Sequence, residues 1–255
     1  MELRGGANRE QAFAVASSGA ACVADAAEDL VASGGAARGA EEVLALRLCA
    51  LTGEFYRANA ESFSQTRQSP WQGWVRLLEV VGLAAKQKPL RVLDLACGNL
   101  RFERYLADAL PGRMLSGWAV DNCDPLVEAG ERNESDALSR MSFQNLDAIE
   151  RLFAGCLREA LEAPDASCDL AVSFGFMHHV PLERWRVGLL RALVAKVRPG
   201  GFVSVSFWRF LNSDKLARKA KETTSRARAE LGIPELPPND YLLGWQDTRG
   251  LYRYC

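Results

Sequence analysis

Residues 93–102 read LDLACGNLRF and follow the basic, apolar run-in KQKPLRV (86–92). The apolar run LRVLDLA (90–96) predicts a strand that carries Asp94 near its end. Gly98 then interrupts the pattern, and helical spacing resumes near Leu100 in FERYLADAL. A strand, a tight turn and a helix in that order open a parallel α/β layer.

Working outward, the same alternation continues. LSGWAV (115–120), MSFQNL (141–146), CDLAVSF (168–174) and GFVSVSFW (201–208) read as further strands. Between them PLVEAGERN, AIERLFAGCLREALE and LERWRVGLLRALVAKV carry helical spacing, and Pro111-Gly112 and Pro199-Gly200-Gly201 punctuate helix ends. The expected fold is α/β, a mostly parallel twisted sheet with helices on both faces. Such sheets bind ligands beyond the C-terminal ends of their strands, which singles out the loops after Ala96, Val120, Leu146 and Phe174.

Upstream, residues 1–33 are Ala-rich and read as a helix stopped at Gly34-Gly35; a second helical pattern starts near Glu41-Glu42 with Leu44, Leu48 and Leu51 on one stripe. The expected domains are a helical N-terminal extension over 1–53 and a catalytic-type α/β domain over 54–255. FAVASSGAACVA (13–24) loosely resembles a secretory apolar region, but Glu2 and Glu10 spoil a positive leader. No run reaches the about 18 apolar residues of a membrane span.

The 255 residues are 48% hydrophobic and 25% charged with a net charge of −1, ordinary for a soluble globular chain and without a global pull toward nucleic acid or membrane. Seven scattered cysteines, never spaced C-x-x-C, point to a reduced, cytoplasmic protein. With only two histidines, adjacent at 178 and 179 and expected to diverge, no metal site is expected.

The turn itself selects its ligand. A dinucleotide turn needs three glycines, and here the matching positions are Ala96, Gly98 and Arg101; a P-loop fails because no G-K-[ST] follows. What remains suits a ligand without phosphates but with an amino-acid end, its ammonium held by strand-end carbonyls and Asp94, with Gly98 allowing close backbone approach. Asp121, 27 residues after Asp94, sits where a carboxylate can accept both hydroxyls of a ribose. Asp147 can accept an adenine amino group or simply cap the following helix. The fourth strand end, SFGFMHH (173–179), would floor the reacting centre.

LDLACGNLRF, AVD, NLDAI, CDLAVSFGFMHHV and RPGGFVSVSFW together resemble a class I, Rossmann-like S-adenosylmethionine (SAM)-dependent methyltransferase across residues 90–208. The resemblance implies SAM as cofactor, with Asp94, Ala96, Gly98, Asp121, Asn122, Asp147, Ala148 and Ser173 in its binding loops. The departures are Ala96 and Leu100, where that family more often has glycine; Leu100 is bulky enough to narrow the pocket.

A narrower resemblance lies outside the core. FYRANAESFSQTRQSPW (55–71), with DYLLGWQ (240–246) and LYRYC (251–255), is similar to segments of the tRNA wobble-uridine methyltransferases that esterify a carboxymethyl group. It implies Arg67 and Trp71 folded over the cofactor, the arginine gripping a carboxylate of SAM or substrate and the indole a lid near the sulfonium. It also raises a small zinc-binding activator as partner. In that family more chain follows, so three outcomes are open here: a sheet lacking the last strands, an abbreviated hairpin across residues 247–250, or a shortened chain.

His178 and His179 are the candidate catalytic bases; one of them, or both, could instead only pack. Residues 207–228 hold seven Lys/Arg against two acids after Phe207-Trp208, a face for RNA or a solvated helix. The leading expectation, which the narrower resemblance implies, is methyl transfer to an oxygen, the carboxylate of a modified tRNA wobble uridine; weak base equipment is compatible with it, because a carboxylate is already ionised. Alternatives are a small-molecule methyltransferase and a catalytically silent SAM-fold subunit.

Overall fold

A computed structural model of the chain describes residues 36–82, 88–131, 140–245 and 249–255. The chain divides between Leu44 and Ala45. Of the first unit, residues 36–44 are described, and they are the opening turns of helix α1 (Ala36–Gln65). That helix runs without a break through positions 53 and 54. The helix expected over 1–33 and the apolar stretch 13–24 lie outside the described residues.

The second unit is built on five parallel strands: β1 (Leu90–Leu95), β2 (Leu115–Asp121), β3 (Met141–Asn145), β4 (Cys168–Ser173) and β5 (Val197–Val205). Their order is β3-β2-β1-β4-β5. Val92 sits opposite both Gly117 and Leu170, and Asp94 opposite both Ala119 and Val172, so β1 is central. On one face Leu90, Val92, Leu170 and Val172 pack against Trp74 and Leu78 of α2 (Gln72–Val81) and Phe102 and Leu106 of α3 (Arg101–Ala109). The alternate residues Leu93, Leu95 and Ala171 are buried as fully, which explains why these strands read as near-continuous apolar runs. The strand order reverses between β1 and β4, placing a crevice at their C-terminal ends.

Two expectations shift. The segment 148–162 forms two short helices, α5 (Ala148–Phe153) and α6 (Leu157–Ala160), because Gly155 turns the chain at φ +70° between them. Helix α7 (Glu183–Lys196), which follows α4 (Asp124–Glu131), α5 and α6, ends before Pro199-Gly200-Gly201. That tripeptide lies inside β5, where the pairing with β4 slips between Cys168 and Leu170.

Beyond β5, α8 (Asp214–Leu231) is capped by the Ser213 hydroxyl. Residues β6 (Leu242–Leu243) and β7 (Arg253–Tyr254) then form a two-stranded antiparallel ribbon separate from the main sheet. Thus the described residues contain a five-stranded sheet and also the abbreviated hairpin. The ribbon is anchored to α1, where the Tyr254 N–H donates to Thr52 Oγ1 at 3.0 Å.

Candidate functional site

The loop Ala96–Leu100 follows β1 at the crevice. Ala96, Gly98 and Leu100 all have left-handed backbone, with φ of +67°, +57° and +56°. Only glycine adopts this region without a steric cost, so two of the three positions are strained. Side chains explain why they are tolerated. Leu100 turns into the protein with Cys97, Ala119 and Val127 rather than lying open in the crevice. A Cβ built at Gly98 meets nothing within 4 Å, so the space over that residue is open. The loop is tied down at its base by Ala96 and Cys97 N–H groups donating to Val120 C=O.

Asp121 ends β2, and the N–H groups of Gly98 and Cys123 donate to its two carboxylate oxygens, each at 2.8 Å. These bonds, with a further one from the Asn122 N–H, fix the carboxylate at the strand end. Asp147 caps α5, accepting from the Ile149 and Glu150 N–H groups through Oδ1 and from Asn122 Nδ2 through Oδ2 at 2.7 Å. Its capping role is therefore occupied, and Asn122 is its partner rather than an independent contact; Ala148 is buried behind it. Ser173 at the end of β4 is fully buried, and its Oγ has no hydrogen-bond partner.

Trp71 lies over the end of β4, with its ring 3.4 Å from the Cβ position of Gly175. It stacks on Trp74 at 5.3 Å, and the Arg101 guanidinium sits 5.0 Å from each indole. Asn99 Nδ2 donates to Ser64 Oγ at 3.0 Å, joining the end of α1 to the loop. Hydrogen bonds thus join Gly98 to Asp121, Asn122 to Asp147 and Asn99 to Ser64, while Arg67 lies apart from these, against Phe63 and Trp245.

His178 and His179 lie in a 3₁₀ turn (Met177–His179), not on a strand end, and this corrects one expectation. Their rings do not diverge; their centroids are 4.2 Å apart, and with Cys255 they bring ligand-type atoms within 4.8 Å of one another. His179 is nonetheless fully engaged. Tyr56 Oη is 2.9 Å from its Nε2, and its Nδ1 bonds the Tyr254 carbonyl. A neutral imidazole fits this pattern, donating at Nδ1 and accepting at Nε2. Burial, then His178 and Arg253, push its pKa well down. His178 differs: its buried Nδ1 has no partner, and burial with nearby Arg253 lowers its pKa to about 4.

Sequence reasoning missed Arg253 and Glu103. Arg253 is 4% exposed, and its guanidinium lies within 6.0 Å of five aromatic rings: Phe55, Tyr56, Phe63, Trp208 and Trp245. Among the described residues no carboxylate pairs with it, and its Nε has no partner. Arg67 shares two of those rings, 4.6 Å from Phe63 and 5.5 Å from Trp245. Burial, and then Arg253, lower the pKa of Arg67. Glu103 is 2% exposed on α3, and neither carboxyl oxygen has a partner. Its signal was present, because Glu103, Leu106 and Leu110 share a helical stripe. Arg253 had none, since its cage is assembled from segments far apart in the chain.

The residues fit a SAM molecule. The open space over Gly98, the unpartnered Asp94 Oδ1 and Ser173 Oγ, and the carboxylate of Asp121 at the end of β2 suit its amino-acid end and ribose.

Residues 92–201 match the family described as a methyltransferase domain. The chain is 29% identical over 159 residues to the mouse tRNA (carboxymethyluridine(34)-5-O)-methyltransferase ALKBH8, a match covering 61% of this chain and 19% of that protein. The same protein from Macaca fascicularis is 28% identical over the same length. The chain thus spans about a fifth of the length of the curated relatives it matches. Among solved structures it is similar to a SAM-dependent methyltransferase from Methanosarcina mazei, with a TM-score of 0.49, 15% identity, and 69% and 75% of the two chains covered. Another is the methyltransferase complexed with the Haloferax volcanii Trm112 activator, with a TM-score of 0.41, 17% identity and coverage of 59% and 57%. Over residues 92–201 the chain is thus similar to a methyltransferase domain.

Proposed function

We propose that this domain methylates a carboxylate oxygen, and that the carboxylate is held by Arg253 and Arg67. The observation that carries this reading is the buried, unpaired Arg253 beside the unpartnered Nδ1 of His178. A buried cation without a carboxylate is costly by several kcal/mol; the aromatic faces and the Tyr56 hydroxyl, to which Arg253 donates at 3.4 Å, make that cost tolerable but leave its charge unneutralised. An incoming anion would complete the site.

When bound, SAM supplies an electrophilic methyl group on a sulfonium. Asp121 would hold its ribose, and Asp94 and Ser173 would face its amino-acid end. The chain's remaining work is alignment and exclusion of water. The arginines orient the carboxylate, Trp71 covers the β4 end, and neutral His178 offers a hydrogen bond rather than a strong base. With a pKa of about 4, His178 is poorly suited to deprotonate a hydroxyl or an amine near neutral pH. A carboxylate arrives already ionised.

The tRNA reading draws on the similarity to the wobble-uridine enzymes and on the exposed side of α8. Lys215, Arg218, Lys219 and Lys221 are exposed there, following exposed Phe207 and Trp208. Trp208 also reaches the site, 6.0 Å from the His178 ring and 5.1 Å from Arg253, where an extruded base could stack. A small activator protein of the kind bound by the Haloferax neighbour belongs to the same reading.

The test is transfer of a labelled methyl group to tRNA bearing a carboxymethyl wobble uridine, and to small carboxylic acids. A methyl ester releases its label as methanol in mild alkali, whereas an N-methyl or ether product keeps it. Alkali-labile label on tRNA supports the full reading, and on small acids alone the small-molecule alternative. Alkali-stable label, or no transfer with or without the activator, overturns it.

A further inference from the structure

Two carboxyl groups lie against each other beneath the Ala96–Leu100 loop, and neither is explained by the fold. Asp94 is the penultimate residue of β1 and Glu103 lies in the first turn of α3, each 2% exposed. The two carboxyls lie within hydrogen-bonding reach of each other, and no other side chain donates to Asp94 Oδ1 or to either oxygen of Glu103. Facing acceptors without a donor can be satisfied in only two ways, by a proton held between them or by an incoming cationic donor.

We propose that Asp94 and Glu103 together seat the ammonium group of the cofactor's amino-acid end, and that the pair gives up one proton to solvent when that group docks. The proposal rests on the reading that this domain takes SAM. In the free protein the pair holds one proton and one negative charge. The ammonium keeps its three N–H bonds and donates to both carboxylates, so the shared proton is displaced to the buffer and the site's net charge is unchanged.

The surroundings agree with this balance. The charged and titratable groups facing the pair are Asp121 from the end of β2, Cys97 from the loop and Arg104 from α3. Burial pushes Glu103 up to about 7 and, together with Glu103, raises Asp94 well above its ordinary value. Burial also raises the Cys97 thiol, which stays protonated. Arg104 is turned toward the Asn99 and Gly130 carbonyls, donating at 2.7 and 3.1 Å. Arg104 therefore acts on Glu103 only through space and makes no ion pair with it.

Calorimetry reads the displaced proton directly. S-adenosylhomocysteine, which has the ammonium, and methylthioadenosine, which lacks the amino-acid end, are titrated near pH 7.5, where Glu103 has mostly lost its proton and Asp94 keeps one, in buffers of different ionisation enthalpy. The expected release is about 0.5–1 proton per S-adenosylhomocysteine and none for methylthioadenosine. Glu103→Gln should abolish the release while methylthioadenosine binds as before, which also reports that the variant is folded. At pH 8 that variant should bind S-adenosylhomocysteine about tenfold or more weakly, with a smaller gap at pH 6. Binding of S-adenosylhomocysteine without buffer-dependent heat overturns the proposal alone, as does an undiminished release from Glu103→Gln. Binding of neither compound by folded wild-type protein overturns the cofactor reading and this proposal with it.

Discussion

The same backbone conformation at Ala96 and Leu100 should answer glycine substitution with opposite signs. Ala96 has φ +67° and a half-buried methyl group; Leu100 has φ +56° and a side chain that is 8% exposed. Relief of a left-handed non-glycine residue is worth about 1–2 kcal/mol. Glycine returns about 0.5–1 kcal/mol of that through the greater freedom of the unfolded chain. Ala96→Gly should therefore stabilise the protein by about 0.5–1 kcal/mol. Leu100→Gly gains the same relief but removes a leucine from the cluster with Cys97, Ala119 and Val127, a loss of about 2–5 kcal/mol. Its net effect should be destabilisation by about 1–4 kcal/mol. Urea unfolding followed by circular dichroism measures both, with Tm moving about 2–4 °C per kcal/mol for a chain of this size. Destabilisation by Ala96→Gly would refute the strain argument, and stabilisation by Leu100→Gly would refute the packing argument.

Other outcomes follow from single contacts. Asp121→Ala should weaken S-adenosylhomocysteine binding tenfold or more by calorimetry, since it removes the ribose acceptors and frees the Gly98 N–H. Arg253→Gln should retain S-adenosylhomocysteine binding and lose methyl transfer to the acid; methylation at the wild-type rate would remove the arginine from the acceptor site. Tyr56→Phe leaves His179 Nε2 buried without its donor, and should cost about 1–3 kcal/mol in a thermal melt. Glu103 binds its proton more tightly in the folded state, with a pKa of about 7 against 4.5, so its contribution is fully present below pH 4.5 and lost as pH rises through 7. The loss is on the order of 3 kcal/mol, and the pH–stability curve of Glu103→Gln should be flatter across that window; an identical curve would count against the buried pair.

The strand ends were legible because their causes are local. An apolar run, a small-residue turn and an amphipathic helix recur with a spacing that only a parallel sheet satisfies, so Asp94, Gly98 and Asp121 could be placed without coordinates. The same locality explains what was misread. Adjacent histidines diverge on an extended strand, but residues 177–179 close into a 3₁₀ turn and bring the rings together. Asp147 was ambiguous in sequence because a cap and a ligand contact favour the same residue type, and geometry shows the cap made.

What the amino-acid order determined by itself is the frame: five alternating strands, the crevice at their ends, and the acidic and glycine positions that face it. Tertiary structure alone decided the charge within that frame. Arg67 and Arg253 meet over Phe63 and Trp245 because α1 and the C-terminal ribbon fold onto each other, joined by Tyr254 and Thr52, which lie 202 positions apart. Glu103 becomes a buried acid opposite Asp94 because α3 packs on β1. Periodicity records which face of an element is apolar, but not which distant charge will be brought to that face or left there without a partner.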